Sequence, residues 1–213
     1  MLATSAPINR PDRYSLTCSR ASAPNRCAAR APGGAASAAG FDTVEIPLNS
    51  PQWQQSIPAV VGAYGAQALI GAGTVLQEAQ VDRLAQLGAR LVVTPNVQPA
   101  VIRRAVGHGM TVCAGCATAS EAFTALEAGA QALKIFPSSA FGPDYIRALK
   151  AVLPASVPVF AVGGVTPENL AQWIEAGCAG AGLGSDLYRA GQPVARTAEQ
   201  AAAFVRAYQE AVK

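Results

Sequence analysis

From residue 41 onward the chain alternates short, continuous apolar runs with longer amphipathic stretches that close on a small residue. The apolar runs fall at 43–48 (TVEIPL), 68–74 (ALIGAGT), 91–95 (LVVTP), 111–115 (TVCAG), 132–137 (ALKIFP), 157–163 (VPVFAVG) and 180–184 (GAGLG). Runs this apolar read as strands buried on both faces. Between them, helical periodicity predicts helices near 51–64, 77–87, 98–107, 118–128, 142–152, 167–176 and 197–212. Gly65, Gly88, Gly109, Gly129 and Gly177 stand at helix ends, where a left-handed residue stops the turn. Thr166-Pro167 reads as an N-cap followed by proline at the first helical position.

Strand–helix units recurring every ~20–25 residues demand parallel strands and right-handed crossovers. Eight such units close into a (β/α)8 TIM barrel, an α/β fold. Only seven are visible, so the first β/α unit is expected to be missing or replaced. Residues 1–39 are rich in Ala, Arg, Pro and Ser, without a strand-like run; Tyr14–Cys18 is the best candidate and a poor one. The segment has the composition of an organelle transit sequence. It stands where a barrel unit is required rather than ahead of one, so a reading-frame or start-site error is the favoured expectation. The division expected is a non-family, disordered or aberrant segment at 1–39 and a barrel domain at 40–213. A barrel lacking its first strand would have open edges, so an unstable or inactive product is one alternative.

Composition narrows the functional classes. At 51% hydrophobic and 14% charged, the 213 residues can build a large core with little surface charge. The net charge of +3 is concentrated at the front, where Arg10, Arg13, Arg20, Arg26 and Arg30 face only Asp12. No clustered basic face suggests nucleic acid as a partner. No apolar run reaches the ~20 residues of a membrane span. Five cysteines, an odd count, read as reduced thiols of a cytoplasmic protein. Cys113-x-x-Cys116 lacks the surroundings of a redox motif, and His108 is the only histidine, which leaves no triad and no multi-histidine metal site.

Lys134 is the conspicuous chemical residue, one of three lysines and set inside an apolar strand. A buried ammonium is costly unless it is paired or gives up its proton, and a neutral amine attacks carbonyls. A structural ion pair and a nucleophile are both open readings. Strand alternation sends Val44, Ile46, Leu133 and Ile135 outward to the helices and Glu45 and Lys134 into the barrel interior. An amine and a carboxyl then share one chamber. Gly163-Gly164 and Gly184-Ser185 end the last two strands, where barrels bind phosphate with backbone N–H groups and a helix N-terminus.

The segments GFDTVEIPLNSP, IGAGTV, VTPN, GCAT, LKIFPSSAFGP, FAVGGVTPENL and GAGLGSDLY carry a resemblance across residues 40–213. On them the chain resembles the class I aldolases of the 2-keto-3-deoxy-6-phosphogluconate/6-phosphogalactonate family. The resemblance implies a homotrimer that cleaves a sugar acid phosphate to pyruvate and D-glyceraldehyde 3-phosphate, without metal or other cofactor. It implies Lys134 as the Schiff-base lysine and Glu45 as the general acid/base. Thr74 would hold the pyruvate carboxylate, Pro95 and Phe136 would shape the imine pocket, and Gly163, Gly164 and Ser185 would bind phosphate. Val162 stands where the gluconate-specific siblings carry threonine, and Asn49 where they carry arginine. Both point to the galacto epimer, with the gluconate-derived epimer as the alternative substrate. The family's opening helix and its first strand, ending in Arg-Gly, are not recognisable before Gly40.

Overall fold

The computed structural model describes residues 41, 43–189 and 191–213, together with the backbone of Ser15–Thr17. Its centre is one eight-stranded parallel sheet with the strands in chain order. The strands are β1 (Ser15–Thr17), β2 (Thr43–Pro47), β3 (Leu69–Gly73), β4 (Leu91–Val93), β5 (Thr111–Cys116), β6 (Ala132–Ile135), β7 (Val159–Val162) and β8 (Gly180–Gly182). The helices are α1 (Trp53–Tyr64), α2 (Glu78–Gln86), α3 (Pro99–Gly107), α4 (Ala119–Glu127), α5 (Gly142–Lys150), α6 (Leu170–Glu175) and α7 (Val194–Ala211). Strictly sequential parallel order requires each crossover to return over the same face, so the sheet curls and its helices line the convex side. No helix among the described residues is long and apolar enough to cross a membrane.

The position of the first strand is filled. Ser15–Thr17 pairs in parallel with β2, in register Ser15↔Thr43, Leu16↔Val44 and Thr17↔Glu45, and β1 also lies against β8. The expectation of a missing first unit is corrected to that extent. Three residues with little apolar content can serve because strand pairing there is satisfied by the backbone of β2, which any residue but proline can supply. The sheet therefore reaches into the segment before residue 40. The readings of the rest of residues 1–39 as disordered, transit-like or the product of a frame error lie outside the described residues.

Two local expectations are also revised. Gly65 ends α1 in a right-handed conformation, with φ −64°, whereas Gly88, Gly109, Gly129 and Gly177 have positive φ. Thr166 does not cap a helix: the Asn169 carboxamide oxygen accepts its N–H at 2.9 Å, and α6 begins only at Leu170. Residues 166–169 instead form a turn, closed by the Asn169 N–H on the Thr166 carbonyl at 3.3 Å, with the Asn169 side chain folded back over it.

Candidate active site

Strand alternation divides the apolar residues into two bodies. Val44, Ile46, Ile70, Val92, Val112, Leu133, Ile135, Val159 and Ala161 pack with the helices. Leu91, Val93, Cys113, Ala132 and Phe160 form a smaller cluster on the inner face of the curl, joined by Leu69 and Ala179. Two residues beyond Ala132 on the same face comes Lys134, 7% exposed, and Glu45 on β2 is 2% exposed. An ammonium and a carboxylate this deep are tolerated only with partners close by.

Glu45 is placed by a gap in β3. A β-carbon built at Gly73 would overlap the Glu45 carboxyl group, so only glycine leaves the space that the side chain occupies. Lys134 has its Nζ 4.8 Å from the centre of the Phe136 ring, within cation–π range. Cys113 on β5 lies on the same inner face, in the cluster that holds Ala132. Burial pushes its thiol up to about 12, with the charge of Lys134 opposing that shift and the charges of Cys116 and Glu45 adding to it. Burial thus keeps the thiol protonated. Cys116 lies with the outer cluster, so the C-x-x-C spacing puts its two sulfurs on opposite faces, and both are free thiols.

The other expected residues gather at the C-terminal edge of the sheet. Thr74 directly follows β3 with φ 57°, a left-handed conformation that is rare for a β-branched side chain and typical of functional sites. Pro95 follows β4 by two residues and is half-buried, Phe136 is half-exposed, and Val162 ends β7 as a buried residue. Gly163 and Gly164 have φ 98° and 74°. Ser185 is exposed on the turn after β8. Because α6 starts six residues after Gly164, its N-terminus does not abut the glycine pair; the loop's own backbone is what an anion would meet. Among the described residues no three His, Cys, Asp or Glu side chains converge as a metal site requires.

Several supporting side chains escaped sequence reasoning. Thr94 is fully buried; its hydroxyl donates to the Asn96 carbonyl at 2.7 Å and accepts from the Gly115 N–H at 3.2 Å. Ser138, also fully buried, donates to the Ile135 carbonyl at 2.7 Å and accepts from the Val162 N–H at 2.9 Å. It thereby ties the end of the Lys134 strand to the end of β7. Cys113 was within reach of the parity argument that located Glu45 and Lys134. Thr94, Ser138 and Asn169 left no such signal, because small polar residues in loops are read first as turn formers.

The family model for KDPG and KHG aldolase matches residues 30–200. The 2-dehydro-3-deoxy-6-phosphogalactonate aldolase of Escherichia coli (strain K12) is 79% identical over 180 residues, which cover 84% of this chain and 88% of that one. A probable 2-dehydro-3-deoxy-6-phosphogalactonate aldolase of Rhizobium meliloti (strain 1021) is 48% identical over 175 residues, 82% of each chain. A solved structure described as native KDPGal superposes with a TM-score of 0.89 at 74% identity, covering 92% of this chain and 95% of that one.

Proposed function

The chain belongs to the KDPG and KHG aldolase family, and from that premise we propose that it is a Schiff-base aldolase for 2-dehydro-3-deoxy-6-phosphogalactonate. It would release pyruvate and D-glyceraldehyde 3-phosphate. One observation carries the site assignment: an amine and a carboxyl, Lys134 and Glu45, are both buried on the inner face of the same sheet. Breaking C3–C4 leaves an electron pair on C3, and a protonated imine at C2 is the sink for it.

In this reading the Lys134 amine adds to the C2 ketone, and loss of water from the carbinolamine forms the imine. Glu45 takes the C4 hydroxyl proton, directly or through a water, as C3–C4 breaks. The electron pair moves into the imine to give an enamine, and the C4 fragment leaves as an aldehyde. Protonation at C3 and hydrolysis return pyruvate and the free lysine. Thr74 would orient the pyruvate carboxylate, Pro95 and Phe136 would wall the imine, and Gly163, Gly164 and Ser185 would receive the phosphate. Val162 would bear on which epimer is accepted.

We read the curl as an eightfold barrel closed between β8 and β1, carried by residues 40–213 together with Ser15–Thr17. A homotrimer is the assembly that the resemblance supports, and the exposed apolar side chains of Leu76, Phe123 and Phe141 are available to an interface. Free buried thiols suit a cytoplasmic setting. The test is borohydride reduction in the presence of pyruvate, followed by peptide mass mapping, with cleavage of both epimers assayed alongside. A pyruvate-derived adduct on Lys134 and faster cleavage of the galacto epimer are expected. A folded chain that traps nothing would overturn the assignment.

A further inference from the structure

We infer that Asn169 is a positioning residue whose carboxamide presets the Gly163–Gly164 loop to receive the substrate's phosphate, without touching the phosphate itself. The inference rests on the phosphate-binding reading of that loop. A loop that binds an anion must turn its carbonyl oxygens away and offer N–H groups. Here both glycine carbonyls are engaged internally: Gly163 accepts from the Ser139 N–H at 3.1 Å, and Gly164 accepts from the Asn169 amide nitrogen at 2.9 Å.

The direction of the carboxamide is determined by its surroundings. Two donors converge on its oxygen, the Thr166 N–H at 2.9 Å and the Trp173 indole N–H at 3.2 Å. The nitrogen is left to face Gly164. Trp173 is buried in the outer core, so the chain of bonds anchors the loop to the rigid body of the protein. The loop needs such an anchor because two successive residues with positive φ have few other restraints, glycine being the most mobile residue before folding. On the opposite side Ser139 closes the packing, with a β-carbon at Gly164 coming only 2.8 Å from the Ser139 β-carbon. The loop is thus gripped between the chain after β6 and the turn before α6.

Asn169→Asp separates positioning from mere stability. It is isosteric and keeps both bonds to the oxygen side, yet replaces the donor facing Gly164 with an acceptor. Asn169→Ala removes the grip without adding charge. Steady-state cleavage is measured for the phosphorylated substrate and its dephosphorylated counterpart, with the rate of pyruvate trapping by borohydride as a third readout. The wild-type enzyme is read first, and equal kcat/KM for the two substrates would overturn the phosphate reading of the loop and this inference with it. Given a wild-type preference for phosphate, both variants should raise KM for the phosphorylated substrate at least about tenfold. Pyruvate trapping and kcat/KM for the dephosphorylated substrate should stay within about threefold. A parallel fall in pyruvate trapping would overturn the inference in favour of a structural role. So would an unchanged KM, or an effect confined to Asn169→Asp and abolished by high salt, which would mark charge repulsion alone.

Discussion

The carboxyl group of Glu45 occupies the space that a side chain at Gly73 would fill. The two residues sit on neighbouring strands, β2 and β3, and the bare α-carbon of one is the seat of the other's functional group. Gly73→Ala therefore should expel the carboxyl group from its place rather than merely crowd the core. Overpacking of this kind costs about 1–3 kcal/mol of stability, while turnover should fall by about 10²–10⁴, as for loss of a general acid/base. Thermal melts and cleavage kinetics on the same sample check both. Near-normal turnover in a stable variant would detach Glu45 from the chemistry.

Lys134→Ala should abolish borohydride trapping with pyruvate, since a reducible imine needs the amine. Glu45→Gln conserves volume and should retain the fold. It should still form some trapped adduct, more slowly, and lose about 10²–10⁴-fold in turnover. Mass spectrometry reads the first effect and stopped assays the second. An undiminished adduct in Lys134→Ala would place the nucleophile elsewhere.

Much of this architecture is legible in the sequence because strand alternation and a buried charge both leave strong signatures. Val44 and Ile46 had to face the helices, and that alone turned Glu45 inward; the same logic placed Lys134 two residues above Ala132. Loops are less legible. Thr166-Pro167 has the letters of a helix start, but the chain first makes a turn, closed by the Asn169 N–H on the Thr166 carbonyl at 3.3 Å, and the helix begins at Leu170. Ser15–Thr17 lies within Tyr14–Cys18, which the sequence offers only as a poor strand candidate, because pairing with β2 rather than an apolar run makes it a strand. Gly65 shows the same limit, since a glycine at a helix end need not adopt the left-handed conformation it permits.

Asp82 offers a pH test away from the site. Hydrogen bonds from Arg104, then from His108, hold its carboxyl at about 2, below the ordinary 3.8. Arg104 binds it with two nitrogens, at 2.7 and 3.0 Å, and His108 with one at 2.7 Å. The folded state thus binds this proton less tightly than the unfolded chain. The stabilisation is present above the unfolded value near 4 and is lost as pH falls through about 2. The melting-temperature gap between the wild type and Asp82→Asn should be full at about pH 5, narrow between about pH 4 and 2, and shrink in high salt because the group is exposed. A gap independent of pH across that range would mean that the ion pair contributes nothing through its charge.

Val162 ends β7 on the inner face, buried at the mouth of the site, with its backbone N–H held by Ser138. Its position is therefore fixed by a bond that a change of side chain leaves in place, so substitution there alters chemistry without moving the strand. Threonine has nearly the same shape as valine and exchanges one methyl for a hydroxyl, which can donate to or accept from a substrate hydroxyl. The two epimers differ in the direction of one such group at the carbon where the bond breaks. Val162→Thr should shift the ratio of kcat/KM toward the gluconate-derived epimer by about 1 kcal/mol, the net worth of one hydrogen bond. That is roughly a fivefold change, measurable by cleavage of the two epimers side by side. Some stability should be lost, because the new hydroxyl enters a buried position where it must find a partner. A ratio that stays where it is, in a variant that still traps pyruvate at the normal rate, would remove Val162 from the choice of substrate and move the search to other side chains lining the mouth.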